Sequence, residues 1–416
     1  MKKNEKDNSK INTKFINKKN FSITKKYPLK YNLIYILFIT SFLIIIVQVI
    51  YSKIISNKKT TQEVNLRNTE SDDYKVDKSS SLEKNGQKIY SKYNKINFNQ
   101  LENKYNGKDA PDLSKFNNIH IALCLNEEYH LLASVTMASI LINSNPESYI
   151  HFHIIALNDL NFEIMKKIYS LKSKLNNNSE FIFYNGKKVE KDFEDGIKVS
   201  ERGAIDYGRF LITEVIHDGD KIDKVISLDI GDILVEKDLY SLYKKELGVQ
   251  GYLGVEDAYP RCFLESIFNH KEKYVNGGVL LLNVKKWKEM NLYKYFVKMF
   301  KYVLTLTKFY NPYTDIMNDF LPWRSTGYME LKYNLQDYIV LKNGNAEKDY
   351  DIWAKDCSYY HDKRDKVIEA EKKVVIRNLH KYKVYKGQGT EEMKKEWKSY
   401  AEKTGFYEEI SKKYKI

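Results

Sequence analysis

Cysteine is scarce in this chain of 416 residues, and glycine-rich phosphate-binding motifs are missing from it. Its three cysteines, Cys124, Cys262 and Cys357, show neither paired spacing nor metal-ligand spacing, and an odd number cannot all pair internally. The sequence has no P-loop, no dinucleotide-binding GxGxxG and no internal repeat. These absences argue against a disulfide framework, a cysteine metal site, a P-loop or dinucleotide site, and a repeat architecture.

A motif that reads the grooves of nucleic acid is missing too, although the formal net charge is +14. The positive charge is concentrated at the start of the chain, where residues 1–30 hold ten lysines against Glu5 and Asp7. The remaining excess is spread thinly over the other residues. We therefore expect no nucleic-acid partner and assign residues 1–30 to a basic tail.

A long apolar run, LIYILFITSFLIIIVQVIY at residues 33–51, follows this tail. At about 20 residues, such a run is long enough to cross a bilayer as a helix. A cleaved signal peptide is the alternative, but the run exceeds the ~7–15 residues usual for that class and no clear small-residue cleavage site follows. We predict a transmembrane anchor over residues 31–52, with the lysine-rich tail cytosolic and the rest of the chain lumenal, as in a type II protein of the Golgi or ER.

The remaining sequence divides into a polar segment and a segment with regular apolar patterns. Residues 53–115 are rich in Lys, Asn, Ser and Asp and predict a flexible stem. From residue 118 to about 260, strand-like and helix-like patterns alternate, which predicts an α/β domain with a mostly parallel central sheet. We assign residues 116–416 to this domain, with a helical segment at its C-terminal end. The strand-like runs are 118–125, 148–157, 180–184, 221–230 and 275–287.

Two carboxylates separated by a glycine follow one of these strands, in SLDIGDILVEKDL at residues 227–239. Asp and Gly are favoured in turns, so Asp229, Gly231 and Asp232 could simply turn the chain into solvent. Alternatively, two carboxylates can supply the hard oxygen ligands that Mg²⁺ or Mn²⁺ prefers. Ligands of α/β sheets bind beyond the carboxyl ends of the strands, which is where this motif lies.

Several segments of the chain together resemble glycosyltransferase family 8, in the order in which that family carries them. The carboxylate motif resembles the family's L-D-x-D strand with one extra residue, and VNGGVLLLNVKKW resembles its Asn-Ala-Gly-Val strand. These similarities cover roughly residues 118–390. The other matching segments are IALCLNEEYHLLASVTMASIL (121–141), DYGRFLI (206–212), TDIMNDFL (314–321) and MELKYN (329–334).

The resemblance implies a GT-A-type, Rossmann-like fold and a retaining, metal-dependent transfer of sugar from a nucleotide-sugar, usually UDP-linked. It implies Mn²⁺ or Mg²⁺ as cofactor, with Asp232 as the second acid of the metal pair and Asp229 as the first. The family usually supplies a distal histidine as well, and His380 in VVIRNLHKYKVYKG (374–387) is the candidate. An ordinary surface histidine in a basic segment is the alternative for His380. Lys383 and Lys386 follow it as candidates to meet the diphosphate, and Lys386 has the better spacing.

The resemblance also implies residues that contact the donor sugar. Asn276 matches an asparagine that contacts the sugar, with Gly277 at a position where alanine is commoner in the family. Arg209 matches an arginine that reaches the sugar and pyrophosphate, although taken alone it could be a salt-bridged surface arginine. The Gly-Gly pair could also serve only to let backbones approach closely. Close packing of the backbone at the Gly-Gly pair is compatible with contact between Asn276 and the sugar.

The junction of the first strand with its helix is expected to form the uridine pocket, through Asn126, Glu127 and Tyr129. Asp315 is expected to act beside Asn276 and Arg209 as a catalytic residue. One departure from the family falls here, because Tyr313 and Thr314 stand where the family usually has Asp and Gln before that aspartate. The resemblance therefore does not define the donor sugar.

These observations favour a glycosyltransferase that moves a hexose from a UDP-sugar to a glycan or glycoprotein. A relative that binds nucleotide or glycan without turnover is the alternative, motivated by the Tyr313-Thr314 departure. A third possibility, a protein that serves only as a membrane tether, predicts no nucleotide binding at all. A glycosidase is disfavoured because nothing in the sequence nominates its pair of carboxylates, which lie ~5–10 Å apart across a sugar.

Overall fold

The computed structural model describes most of the chain beyond residue 94, within one compact unit that spans Asp77–Ile416. The predicted tail and membrane anchor lie outside the described residues. None of the helices in the described part combines the length and apolarity that a bilayer crossing needs. The described ranges are 95–106, 110–157, 160–194, 203–216, 221–257, 274–304, 312–319, 321, 326–336, 364–379 and 383–416.

An eight-stranded sheet forms the centre of the domain, in the order β1-β4-β3-β2-β5-β8-β7-β9. Its members are β1 (Lys95–Asn97), β2 (Asn117–Leu125), β3 (Ser148–Ala156), β4 (Ser179–Asn185), β5 (Lys224–Leu228), β7 (Tyr252–Glu256), β8 (Val275–Asn283) and β9 (Thr326–Tyr328). The four central strands β4-β3-β2-β5 are parallel to one another. They are rich in apolar residues and largely buried, as expected for strands covered on both faces.

The sheet is mixed, but six of its eight strands run in the same direction, so the prediction of a mostly parallel sheet is correct. Strand β8 runs antiparallel to both β5 and β7, and β1 runs antiparallel to β4 at the edge. The α/β class itself is as expected. Residues 95–106, which the sequence placed in the stem, belong to the domain, because Ile96 and Phe98 are buried. Their apolar side chains are too few to produce a sustained pattern.

Helices cover both faces of the sheet and form the C-terminal segment. The long helix α2 (His130–Asn143) packs against strand β6 (Ile233–Val235) and against α13 (Glu391–Lys403) near the end of the chain. Its buried residues form a nearly continuous apolar run, Leu131 to Leu141. The helices are α1 (Phe98–Asn106), α2 (His130–Asn143), α3 (Phe162–Tyr169), α4 (Leu171–Leu175), α5 (Lys187–Asp192), α6 (Ile205–Gly208), α7 (Ile212–Val215), α8 (Tyr240–Tyr243), α9 (Val284–Glu289), α10 (Leu292–Leu304), α11 (Pro312–Asp319), α12 (Arg364–Lys372), α13 (Glu391–Lys403) and α14 (Tyr407–Tyr414).

A second, three-stranded sheet joins distant parts of the sequence beside the carboxylate motif. It contains β6 (Ile233–Val235), β10 (Leu335–Gln336) and β11 (Ile376–Asn378), in the order β10-β11-β6. Strand β11 is antiparallel to β6, with Asn378 opposite Ile233, and parallel to β10. The segments 329–336 and 374–379 are therefore brought to the end of the carboxylate turn.

A buried histidine pair lies on one face of the large sheet, away from the carboxylate turn. His153 is 1% exposed, and its ring nitrogens contact His120 at 3.0 Å and the Tyr184 hydroxyl at 3.0 Å. Burial is the main cause that lowers the pKa of His153 to about 3, with smaller lowering effects of His151 and Lys95 and an opposing effect of Glu180. His153 is therefore neutral in the folded protein at neutral pH.

We expect acid to destabilise the fold through His153. Its folded pKa lies below the unfolded value near 6.5, so the unfolded state binds more protons as the pH falls from about 6.5 towards 3. By linkage, the His153 contribution lowers the free energy of unfolding by roughly 2 kcal/mol between pH 7.5 and pH 5. Urea denaturation at the two pH values measures this difference. His153→Gln should reduce it, and an equal pH dependence in the variant would contradict the assignment.

Candidate active site

The carboxylate motif forms a buried turn between β5 and β6. Gly231 has a φ of +80°, a left-handed conformation that glycine adopts without steric cost. A Cβ atom at this position would lie 2.9 Å from the Cβ of Leu132 on α2, so the turn also needs glycine for its close packing. Asp229 and Asp232 flank this turn and are 4% and 1% exposed. They do not turn the chain into solvent, and the simple surface-turn interpretation is wrong.

Arg209 lies beside the first carboxylate. Its guanidinium forms an ion pair with Asp229 and donates a hydrogen bond to the Gly277 carbonyl at 2.6 Å. Arg209 is 1% exposed, so it is a buried arginine and not a surface one. The structure therefore joins three elements that the sequence separates: the short helical turn Arg209–Leu211, the end of β5 and the start of β8.

Asn276 is the centre of a network of amide groups. Its side-chain oxygen accepts hydrogen bonds from Asn334 and the Gly278 N–H, each at 2.9 Å, and from Asn378 at 3.4 Å. Its amide nitrogen donates to Asp257 at 2.9 Å. This pattern defines which way the Asn276 amide points, because its oxygen faces only donors.

Asn334 and Asn378 are site residues that sequence reasoning missed. Asn334 is fully buried and Asn378 is 2% exposed, and Asn378 donates to Asn334 at 3.0 Å. Asn334 ends the MELKYN segment, so the resemblance offered a signal for it. Asn378 had only a weak signal, a polar residue after the apolar run VVI at 374–376. Its importance arises from the pairing of β11 with β6.

Gly278 is the point at which the amide network meets the carboxylates. A Cβ atom there would lie 2.7 Å from the Asn378 amide nitrogen, 3.0 Å from the Asn276 oxygen and 3.3 Å from an Asp229 oxygen. A side chain at 278 would therefore displace groups on both sides of the site. The second glycine of the Gly-Gly pair is thus required for close approach.

Replacing Gly278 by alanine should lower donor-dependent activity by at least tenfold, because the added methyl group disturbs Asn276, Asn378 and Asp229 together. Gly277→Ala is the matched control, since the family commonly carries alanine there. Initial rates under identical conditions check this prediction. Similar rates for the two variants would contradict the role assigned to Gly278.

The second carboxylate meets the C-terminal part of the chain. The Asp232 carbonyl accepts the Leu379 N–H at 2.7 Å, and the Lys383 ammonium lies 3.5 Å from an Asp232 carboxylate oxygen. Lys383 is therefore the lysine in contact with the motif, although Lys386 has the spacing favoured by the resemblance. Lys386 is exposed at the end of the helical turn Val384–Lys386. His380 lies outside the described residues.

The donor chemistry of the turn fits a divalent cation in part. Two buried carboxylates supply hard oxygen ligands, and each already faces a cationic side chain that balances its charge. Within the described ranges, no group of three His, Cys, Asp or Glu side chains is close enough to hold a metal. Asp229 and Asp232 stay the predicted ligands in this part of the chain.

The expected uridine residues lie at the carboxyl end of β2, next to the end of β5. The Asn126 side chain accepts the Tyr129 N–H at 3.0 Å and so supports the start of α2. Glu127 is exposed, and its carbonyl accepts a hydrogen bond from the His130 ring. The Tyr414 hydroxyl of α14 donates to the Glu128 carbonyl at 3.4 Å. Asn126 therefore has a structural role at the edge of the site.

Asp315 lies on α11 beside the start of β8. The Tyr274 hydroxyl donates to it at 2.6 Å, and Asn318 of the same helix exchanges hydrogen bonds with the Val275 backbone at 2.7 and 2.9 Å. Thr314 is 3% exposed. The helix is thus attached to the two residues that precede Asn276, which places Asp315 next to the amide network.

These residues form one polar cluster at the carboxyl end of the central strands. It combines two buried carboxylates, an arginine, a lysine and oriented amides. Carboxylates at such an edge can hold a divalent cation, while cationic side chains stabilise the negative charge of a phosphate-linked leaving group. The fold and the cluster are those of an α/β protein whose ligand site lies at the carboxyl end of the central strands.

The chain belongs to glycosyl transferase family 8, whose family model matches residues 120–368. The resemblance found in the sequence is therefore confirmed, and the protein is a glycosyltransferase of this family. Site residues Asn378, Lys383 and the C-terminal helices lie beyond the matched region.

Solved structures with the same fold include two glycosyltransferases. The bifunctional glycosyltransferase WbbM aligns with a TM-score of 0.54 and 17% identity over 75% of this chain and 54% of its own, so this chain spans about half of WbbM. The galactosyltransferase LgtC, solved with donor and acceptor sugar analogues, aligns with a TM-score of 0.51 and 20% identity over 69% of this chain and 95% of its own. No curated protein matches this chain in sequence.

Proposed function

We propose that this chain is a retaining hexosyltransferase that moves a sugar from a UDP-sugar to a glycan or glycoprotein acceptor, with Mn²⁺ or Mg²⁺ as cofactor. The observation that carries the proposal is the buried pair Asp229 and Asp232 at the end of β5, with Arg209 and Lys383 as cationic neighbours. This arrangement suits a substrate that carries a diphosphate.

Asp229 and Asp232 would hold the cation, with His380 as the further ligand that the resemblance implies. When bound, the cation supplies positive charge that stabilises the departing diphosphate. Lys383 and Arg209 contribute fixed positive charge at the same place, in a site shielded from water, where such charge is most effective. Lys386 is a further candidate for the diphosphate because it follows Lys383 at the edge of the site.

The amide network orients the donor sugar. The Asn276 nitrogen and the Asp257 carboxylate face one another at 2.9 Å and offer a donor and an acceptor for sugar hydroxyls. The acceptor hydroxyl forms a new bond to the anomeric carbon from the side that UDP leaves. The bond to UDP breaks, and the hydroxyl proton passes to the departing phosphate oxygen. The anomeric configuration is thereby retained.

The proposal includes an anchor in a Golgi or ER membrane. The apolar run within residues 31–52 and the lysine-rich tail before it support this arrangement. The catalytic domain would then be lumenal, where glycans and glycoproteins serve as acceptors.

A relative that binds nucleotide or glycan without turnover is the second candidate. Two observations favour it: Tyr313 and Thr314 stand where the family has Asp and Gln, and Asp315 already accepts a hydrogen bond from Tyr274. Such a protein would bind UDP in a metal-dependent way and release none from a UDP-sugar.

A screen of UDP-sugars, including UDP-glucose and UDP-galactose, separates these candidates. Release of UDP is measured with Mn²⁺ and with a chelator, on the full chain. The proposed function predicts Mn²⁺-dependent release from at least one donor. Binding of UDP without release from any donor supports the second candidate, and absence of UDP binding overturns both.

A further inference from the structure

The C-terminal helix α13 reaches the carboxylate turn through one side chain. The Trp397 indole N–H donates a hydrogen bond to the Gly231 carbonyl at 2.9 Å, and Trp397 is 1% exposed. Gly231 lies between the two carboxylates. Trp397 lies well beyond residues 120–368, the part of the chain that matches the family model.

The opposite side of the same turn is held by α2. The Thr136 hydroxyl accepts the Gly231 N–H at 2.9 Å and donates to the Ile233 carbonyl at 3.0 Å. Trp397 and Thr136 therefore satisfy both polar groups of a glycine whose φ is positive. Two helices from opposite ends of the domain thus define the conformation of one residue.

These contacts determine the direction of the Asp232 side chain. The Gly231 carbonyl belongs to the peptide plane that enters Asp232, and Trp397 holds that plane. The Asp232 carbonyl belongs to the plane that leaves it, and the Leu379 N–H holds this second plane at 2.7 Å. Because the two planes define φ and ψ of Asp232, they also define where its Cα–Cβ bond points and from where its carboxylate enters the site.

We propose that Trp397 is a positioning residue for the divalent cation, together with Thr136, and that α13 is a functional part of the site. This inference rests on the proposed function, because it assumes that Asp232 is a metal ligand. Groups that orient a metal ligand typically change metal affinity by about 10- to 100-fold when they are removed. Loss of the indole N–H should therefore weaken metal binding even though Trp397 touches no ligand atom of the metal.

The test compares the Trp397→Phe variant with the wild-type full chain. Each protein is titrated with Mn²⁺ in the presence of UDP, and electron paramagnetic resonance measures the bound and free Mn²⁺. We expect the Mn²⁺ dissociation constant to rise at least about tenfold. Tyr400→Phe is the matched control on the same helix, because the Tyr400 hydroxyl accepts a hydrogen bond from Asn143 at 2.9 Å. The control should leave the dissociation constant within about twofold of wild type.

A second pair of variants tests the inference if Trp397→Phe does not fold. Thr136→Val removes both hydrogen bonds to the turn with little change in shape, whereas Thr136→Ser keeps the hydroxyl. We expect weaker Mn²⁺ binding for valine and rescue by serine. Wild-type affinity in folded Trp397→Phe, or in Thr136→Val if the former does not fold, overturns the inference alone. Failure of the wild-type chain to bind Mn²⁺ overturns the proposed function and this inference with it.

Discussion

Replacing Asp232 by asparagine should abolish metal-dependent UDP binding. The amide has nearly the same shape but carries no charge, so the proposed cation site would lose the carboxylate of Asp232, which is 1% exposed. The change also removes the negative charge that faces the Lys383 ammonium at 3.5 Å. We expect the affinity for UDP in the presence of Mn²⁺ to fall by more than about 100-fold, beyond the usual effect of removing a supporting residue.

Calorimetric titration of UDP with and without Mn²⁺ measures this effect. Asp223→Asn is the matched control, because Asp223 is exposed just before the other end of β5. The control should bind UDP like wild type under both conditions. If Asp232→Asn keeps wild-type affinity with Mn²⁺, Asp232 is not a metal ligand and the site must be assigned elsewhere.

The central strands and their helices could be predicted from the sequence because their signals are local. Strand β3 is an example, because the prediction of a strand at residues 148–157 matches the observed span Ser148–Ala156. The direction of β8 could not be predicted in this way. A buried strand has the same apolar composition whether it runs parallel or antiparallel, and only its partners β5 and β7 decide.

The residues of the site also divide into those with a local sequence signal and those that depend on distant contacts. Asp229, Gly231 and Asp232 are adjacent in sequence, so their spacing identified them and the turn needed one glycine with positive φ. Arg209 and Asn276 depended on a resemblance to known motifs. Asn378 and Trp397 depend on contacts across 102 and 166 residues, which no local pattern expresses. Sequence reasoning therefore identified the groups that carry charge and missed the groups that orient them.

The charges of the site are balanced before any substrate binds. Asp229 faces Arg209 and Asp232 faces Lys383, so the buried cluster carries no net charge from these four groups. A divalent cation would add positive charge and a diphosphate would add negative charge, and these two charges nearly cancel each other. Because burial of an uncompensated charge costs several kcal/mol, metal and nucleotide should bind with positive cooperativity.

Removing the Arg209 guanidinium should produce the largest loss of stability among single changes at this site. Arg209 and Asp229 are 1% and 4% exposed, so Arg209→Met removes the cation from a buried ion pair. Such a change typically costs about 3–5 kcal/mol. Urea denaturation of the variant measures the free energy of unfolding. Arg377→Met is the matched control, because its ion pair with Glu236 at 2.7 Å is partly exposed, and we expect it to cost less.

The double variant Arg209→Met/Asp229→Asn decides the cause of that loss. If the uncompensated carboxylate is responsible, removing its charge should recover most of the stability, because a neutral pair avoids the desolvation of an unpaired ion. Activity should not return in the double variant, since the first metal ligand and the arginine are both gone. A double variant as unstable as Arg209→Met would instead assign the loss to the hydrogen bond from Arg209 to the Gly277 carbonyl and to the packing of the side chain.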